Sequence, residues 1–435
     1  MQTALTRPPD RGIEARKKYA LRLWRPYWEN CILLFLALIA VVCLQAFWVP
    51  GCGYDNVYVP DGSTYFNFLQ DEFRSPDYFS FLFEATGSPG IYFLYHPFFL
   101  VSDKLCIVPN LLLQLGSLAL CCRIFRTFGL RAVWLACLGV SANPYALIAA
   151  TGPNKEIPLT FFFLLFVYGT ITRPSVHITV LSIFLTALMR APFGVMLAVS
   201  WAIIMGTRLR IRLAPLIFAI PVASLIFFRP FFEDPQIQLK FIAPAPIQGG
   251  PMDHFALSTA GLDNPLLGLI MFGFRCVANA FSMGVRFSIF TEYGELALLG
   301  VAYWIYGIAL GVSMVNILFI VGNHAVVSLR RRFGSNPPEL VGADMMAPPL
   351  KYMVAVVVFV WMCVSVNLFV HPRYLMPALP LLMGVLGGSL SRTRTPKIIG
   401  CLVLAVIAYL TTQIALDIPN PPAVMHEDSK PEYLP

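Results

Sequence analysis

The sequence predicts an all-α membrane protein, a polytopic bundle of about eleven transmembrane helices with further juxtamembrane helices on its outer face. Three observations support this prediction. Of the 435 residues, 57% are hydrophobic and only 12% are charged. Long apolar runs recur almost to the C-terminus, and most basic residues lie in the short loops between them. This pattern is typical of polytopic membrane proteins.

The apolar runs define the predicted spans and their orientation. The first run is too long for the apolar region of a cleaved signal peptide, so we interpret it as a span. With the N-terminus in the cytoplasm, 21 of the 31 Lys and Arg residues fall on the inner side, as the positive-inside rule requires. The net charge of +8 therefore reflects the basic residues that orient the chain in the membrane, and nucleic-acid binding is not expected. The predicted spans are residues 31–49, 106–122, 132–150, 158–172, 176–189, 193–207, 213–228, 295–321, 352–370, 374–391 and 398–416.

One apolar segment does not fit this series. Residues 264–292 are interrupted by Arg275 and Arg286, and counting them as a span would place the Arg330 to Arg332 cluster outside. We therefore predict an interfacial or re-entrant segment. The predicted regions are a basic cytoplasmic N-terminus (1–30), a transmembrane core (31–228) with an outer loop (50–105), an outer loop with the interfacial or re-entrant segment (229–294), C-terminal transmembrane helices (295–416) and an outer Pro-rich tail (417–435).

Four cations are predicted at or near the outer ends of apolar segments, opposite the basic loops: Lys155, Arg190, Arg373 and, less regularly, Arg286. Charges there are unfavourable, so they indicate function. Snorkelling to lipid headgroups is the alternative for Lys155 and Arg190. Both, however, lie beside proline, in GPNKEIP and RAPFG, where unpaired backbone groups need protein or water.

The first three cations suit a phosphate. Lys155 and Glu156 begin a predicted helix, whose N-terminus favours an anion, although a local Lys/Glu surface pair is the alternative. Arg190 returns to the same surface from the next span, so both cations could bind one phosphate. His371 and Arg373 occupy a turn that Gly, Asn or Ser could have formed, and His371 could donate a hydrogen bond to phosphate.

The outer loop after the first span supplies carboxylates. Asp61 precedes a stretch from Ser63 to Phe73 with an amphipathic helical pattern that includes Tyr65. It could cap that helix or act as a general base towards a hydroxyl, with Asp55 as its nearest competitor. The dispersed histidines predict no metal site of their own. Loop carboxylates and a pyrophosphate would nevertheless suit Mg²⁺ or Mn²⁺.

The motifs occur in an order that resembles a known family. Asp61-x-x-x-Tyr65, GSPGIYFLYHPFF, RIFRTFGLRAVWLA, NPYALIAATGPNKE and HPRYLMPALPLL follow one another along the chain. Their order and sidedness resemble the GT-C superfamily of integral membrane glycosyltransferases, most of all bacterial members that use polyprenyl-phosphate sugars. The resemblance covers roughly residues 30–190 and 350–390. The family often has adjacent acids in the first loop, whereas Gly62 follows Asp61, so Asp61 and Asp55 both stay candidates.

The resemblance implies a function. In this family the first-loop acid is the catalytic base and outward cations hold the lipid phosphate. It implies inverting transfer of a sugar from an undecaprenyl-type donor to a glycan, lipid or protein acceptor at the periplasmic face of the bacterial inner membrane. GPNKE and MRAPFG also resemble membrane proteins of polysaccharide gene clusters, some of them thought to be O-antigen or capsule polymerases using polyprenyl-pyrophosphate-linked glycans. A lipid or sugar transporter or flippase is the alternative of another class, and it would need polar groups at the midplane.

Overall fold

In the computed structural model, the described residues form helices and turns, with no strand among them. The predicted all-α class is therefore confirmed for this part of the chain. The structure describes residues 89–141, 143, 146, 149–150, 152–209, 213, 215–227, 269–270, 272–273, 276–277, 309–322, 326, 348–366 and 372–390, together with Ile32, Phe35, Leu36, Ile39, Tyr65 and Leu69.

The longer helices of the described residues are numbered here in chain order. They are α1 (Pro89–Phe99), α2 (Ile107–Phe125), α3 (Leu130–Ser141), α4 (Glu156–Val167), α5 (Val176–Met189), α6 (Ala191–Arg208), α7 (Leu216–Phe227), α8 (Ala309–Gly322), α9 (Pro348–Val366) and α10 (Leu379–Leu390). A π-helical turn, Tyr168–Thr172, extends α4, and a 3-10 helix, Pro372–Ala378, precedes α10.

Two stretches of the described chain, Ile107–Phe128 and Ala191–Arg208, are long and apolar enough to cross a membrane. Six apolar helices of 10–17 residues accompany them. Large apolar side chains also point outward, among them Leu112, Phe184 and Val195, which are 58%, 57% and 63% exposed. These features support a membrane protein, while the bundle of eleven spans stays a prediction.

Helices α4, α5 and α6 form an up-and-down arrangement that defines two ends of the bundle. The turn between α4 and α5 is closed by the Ser175 N–H, which donates to the Gly169 carbonyl at 2.7 Å. The opposite turn is the single residue Arg190, whose extended backbone (φ −163°, ψ 101°) joins α5 to α6. Pro192 in the first turn of α6 suits this sharp start, because its fixed φ matches the helix. Lys155, just before α4, therefore lies at the same end as Arg190, called here the Lys155 end.

Basic residues gather at the other end, called here the Arg208 end. The Arg208 guanidinium donates to the Thr170 carbonyl at 2.8 Å and lies 5.3 Å from the Tyr352 ring centroid. The Arg123 and Arg173 side chains lie beside the Tyr168 hydroxyl. These arginines come from loops that the sequence predicts to be cytoplasmic, and the fold collects them opposite Lys155.

Helices α3 and α10 run antiparallel in close contact because small residues face one another. A Cβ on Gly139 would lie 2.9 Å from the Cα of Pro380, and a Cβ on Gly387 would lie 2.6 Å from the Cα of Ala132. Neither backbone has room for that atom, so glycine is needed at both positions. This packing places the end of α3 beside the start of α10. The 3-10 helix is thereby brought to the Lys155 end.

Replacing Gly387 by alanine should destabilise the α3/α10 contact. The new methyl group meets backbone atoms of Ala132 and the Arg131 carbonyl oxygen at 2.8 Å, so the helices must separate. We expect a loss of about 1–3 kcal/mol, measured as a lower midpoint of thermal unfolding in detergent. Gly388→Ala is the matched control, because its Cβ would lie 3.4 Å from the Phe128 side chain. Equal midpoints for the two variants would contradict this packing.

Candidate functional site

The candidate site is built around a break between α3 and α4. The apolar pattern predicts a span to residue 150, but α3 ends at Ser141 and α4 begins at Glu156. The sequence ANPYALIAATGPNKE is apolar enough to mimic a span, yet Pro144 and Pro153 interrupt regular helical hydrogen bonding. Between them, Ala146 and Ala149 are helical and the Ala150 N–H donates to the Ala146 carbonyl at 2.9 Å, whereas the carbonyls of Ala150 and Gly152 lie beyond this turn and need other partners.

Asn110 supplies those partners from α2. Its side chain is fully buried, and its amide nitrogen donates to the carbonyl oxygens of Gly152 at 2.8 Å and Ala150 at 3.1 Å. One helical turn further on, the Gln114 amide nitrogen lies 3.5 Å from the Ala146 carbonyl oxygen. A buried amide that pairs backbone carbonyls fixes the path of the break.

Tyr95 completes this polar network from α1. Its hydroxyl donates to the side-chain oxygen of Asn110 and lies 2.9 Å from the Asn154 carbonyl oxygen. Burial raises the pKa of the Tyr95 phenol well above its usual value. The phenol therefore keeps its proton at neutral pH and stays a donor. Tyr95 thus ties α1 to α2 and to the end of the break.

Asn154 shapes the start of α4. Its side-chain oxygen accepts the Ile157 N–H at 3.2 Å, which caps the helix, and its amide nitrogen donates to the Gly152 carbonyl at 3.0 Å. The cap pairs one of the free N–H groups at the start of α4 and so fixes where the helix begins. The positive end of the helix dipole therefore lies at Lys155. This geometry suits an anion.

Lys155 is held at that helix start by the first loop. Its ammonium donates to the Tyr65 hydroxyl at 2.8 Å and lies 5.4 Å from the centroid of the same ring. Tyr65 is helical and only 5% exposed. The amphipathic pattern around Tyr65 predicts such a helix, and Leu69, one turn later, is also helical and buried. Tyr65, from the predicted first outer loop, therefore packs against the Lys155 end.

Arg190 lies at the same end, and α1 links it to the break. Gly90, in the first turn of α1, packs so closely on α5 that a Cβ would lie 3.0 Å from the Leu188 carbonyl carbon. Tyr95, five residues later, reaches Asn154. That separation is about 7.5 Å along a helix. About one and a half turns of α1 thus connect the C-terminal end of α5 with the N-terminal end of α4.

For the other predicted site residues, the structure gives fewer details or none. Arg373 lies in the 3-10 helix Pro372–Ala378, which packs on α4, so its backbone belongs to the Lys155 end. Glu156 is the first residue of α4 and is 5% exposed, so it is not a surface partner of Lys155. Outside the described residues lie Asp55, Asp61, Arg286 and His371.

Sequence reasoning missed the buried network that supports the site. Tyr95 and Asn154 lie inside motifs that the sequence singles out, whereas Asn110 and Gln114 have the appearance of ordinary members of a predicted span. Their signal is the spacing of Asn110, Gln114 and Ser117, which places three polar groups on one helix face. Polar residues on one face of an apolar helix mark an interior contact.

The described part of the chain contains no group of three or more His, Cys, Asp or Glu side chains that could hold a metal ion. The Mg²⁺ or Mn²⁺ prediction concerns loop carboxylates beyond that part and stays a prediction. No family model, curated protein or solved structure matches this chain. The functional argument therefore rests on the residues themselves.

Replacing Asn110 by alanine should loosen the break between α3 and α4. The change leaves the Ala150 and Gly152 carbonyls and the Tyr95 hydroxyl without their partner, and each such loss costs about 1–3 kcal/mol. We expect a lower unfolding midpoint and faster amide hydrogen exchange across residues 146–157.

Ser117→Ala is the matched control on the same helix face. Ser117 is 1% exposed and donates only within its own helix in this network, to the Leu113 carbonyl. It should leave exchange in residues 146–157 unchanged. If Asn110→Ala exchanges there like the control, the amide does not support the break.

Proposed function

We propose that this protein is a membrane glycosyltransferase that moves a sugar from a polyprenyl-phosphate-linked donor to an acceptor at the periplasmic face of a bacterial inner membrane. One observation carries the proposal. The Lys155 ammonium lies at the N-terminus of α4, and Arg190 lies at the same end of the bundle. Two cations and a helix N-terminus form a site suited to a phosphate dianion.

The chemistry requires that charge. When the anomeric carbon takes the acceptor oxygen, its bond to the phosphate oxygen breaks and the phosphate leaves with the electron pair. Cations aimed at that oxygen stabilise the negative charge as it develops. Lys155 is prepared for this role because the Tyr65 hydroxyl and ring already orient its ammonium. Arg373, on the 3-10 helix packed against α4, is the third cation of the proposed phosphate site.

Asp61 is the proposed general base, and chain length favours it over Asp55. Asp61 lies four positions before Tyr65, so their Cα atoms lie within about 14 Å of each other even in a fully extended chain. Asp55 is ten residues from Tyr65, and the corresponding limit is about 36 Å. Tyr65 contacts Lys155, so it ties Asp61 more closely to the proposed phosphate site. One base and no covalent nucleophile give inversion at the anomeric carbon.

Replacing Lys155 by methionine should weaken binding of the donor. Loss of a charge-assisted contact to phosphate costs about 1.5–3 kcal/mol, or roughly 10- to 150-fold in affinity. The measurement is binding of undecaprenyl phosphate to the purified protein in nanodiscs. Lys351→Met is the matched control, because Lys351 is exposed and lies at the Arg208 end. If both variants keep full affinity, Lys155 does not hold the phosphate.

Replacing Asp61 by asparagine should abolish transfer and spare donor binding. Removing a general base lowers the rate about 10²- to 10⁴-fold, measured as release of polyprenyl phosphate from undecaprenyl-phosphate sugars. Asp55→Asn in the same loop should keep the rate. Loss of transfer in Asp55→Asn but not in Asp61→Asn would make Asp55 the base. Transfer only from pyrophosphate-linked glycans would contradict the proposed donor class.

A further inference from the structure

Two buried oxygen atoms at the Lys155 end have no hydrogen-bond partner among the described residues. They are Oε1 of Gln114 and Oε2 of Glu156. Gln114 is 2% exposed and Glu156 is 5% exposed, so neither side chain is solvated by bulk water. Leaving a buried acceptor unpaired is unfavourable, and in native proteins such a group usually has a functional explanation.

The two oxygens belong to one polar network. Gln114 follows Asn110 by one turn of α2, and Asn110 accepts from the Tyr95 hydroxyl. That hydroxyl also lies 2.9 Å from the carbonyl oxygen of Asn154, two residues before Glu156. Gln114 and Glu156 therefore follow, on α2 and α4, the two residues that the Tyr95 hydroxyl contacts.

The chemistry of the two oxygens selects the ligand group. A carboxylate oxygen and an amide oxygen accept hydrogen bonds and donate none, so their ligand must be a donor. A phosphate would be repelled by Glu156. The described residues hold no group of three or more His, Cys, Asp or Glu side chains that could bind a divalent cation here. Sugar hydroxyls supply neutral donors in adjacent pairs.

We propose that Gln114 Oε1 and Glu156 Oε2 accept hydrogen bonds from hydroxyl groups of the sugar, forming a sugar subsite next to the phosphate-binding Lys155. This inference rests on the proposed function, because the sugar arrives attached to the phosphate. The sequence order supports the arrangement: Lys155 and Glu156 are neighbours at the start of α4, one suited to the phosphate and the other to the sugar. The N-terminus of α4 favours the negative charge of Glu156.

The experiment compares two lipids on the same protein. Binding of undecaprenyl phosphate and of a panel of undecaprenyl-phosphate hexoses is measured on the full chain in nanodiscs. Glu156→Gln should weaken binding of the preferred sugar-linked lipid about 10- to 100-fold and leave bare undecaprenyl phosphate within about twofold. Gln114→Met, which keeps the side-chain length but removes the acceptor, should also weaken binding of the same sugar-linked lipid.

Controls separate this subsite from folding and from the phosphate site. Lys155→Met should weaken both lipids. Ser182→Ala, a fully buried change on α5 whose hydroxyl donates to the Thr179 carbonyl, should weaken neither. If Glu156→Gln and Gln114→Met affect the two lipids equally, the sugar subsite is wrong while the phosphate site stands. If the unsubstituted protein binds neither lipid, the proposed function fails and the subsite fails with it.

Discussion

The architecture of the Lys155 end depends on how the backbone carbonyls in the break between α3 and α4 are hydrogen-bonded. The carbonyls of Ala150 and Gly152 lie between the helical residues Ala146 and Ala149 and the start of α4, in an apolar bundle. Asn110 pairs both carbonyls with one buried amide, and Tyr95 fixes the amide from α1. In a membrane, irregular backbone is tolerated only where protein or water pairs its polar groups. The break is therefore stable only in the presence of α1 and α2.

This constraint also explains why charged residues meet at this end. The break redirects the chain so that α4 begins with a capped, positive helix end at Lys155. The antiparallel return through α5 then brings Arg190 to the same end, while the arginines of the opposite loops gather around Tyr168 and Arg208. Tyr65 contributes a contact from the predicted first outer loop. The proposed phosphate site therefore needs no charge at the middle of α4, α5 or α6.

Local sequence features predicted much of the fold. The span at 176–189 coincides with α5, because Arg173 and Arg190 bound its apolar run on both sides. The pattern around Tyr65 and Leu69 predicted their burial, since both fall on one helix face. Composition did not indicate the end of α3 at Ser141, because the alanines and the leucine that follow it keep the hydropathy of a span. No local signal could pair Lys155 with Tyr65, which lies 90 residues earlier, or Tyr95 with Asn154.

The candidate cations are visible in the sequence for a physical reason. Cations at helix ends are visible in a sequence because their charge is unfavourable beside lipid. The neutral groups that support them, Asn110 and Gln114, differ little from the polar residues that any helix interface carries.

The most direct measurement is the position of the phosphorus atom in a cryo-electron microscopy structure of the protein with undecaprenyl phosphate in nanodiscs. The proposed phosphate site predicts density within about 4 Å of the Lys155 ammonium, on the side of the bundle that carries Arg190. Phosphate density only among Arg123, Arg173 and Arg208 would contradict it.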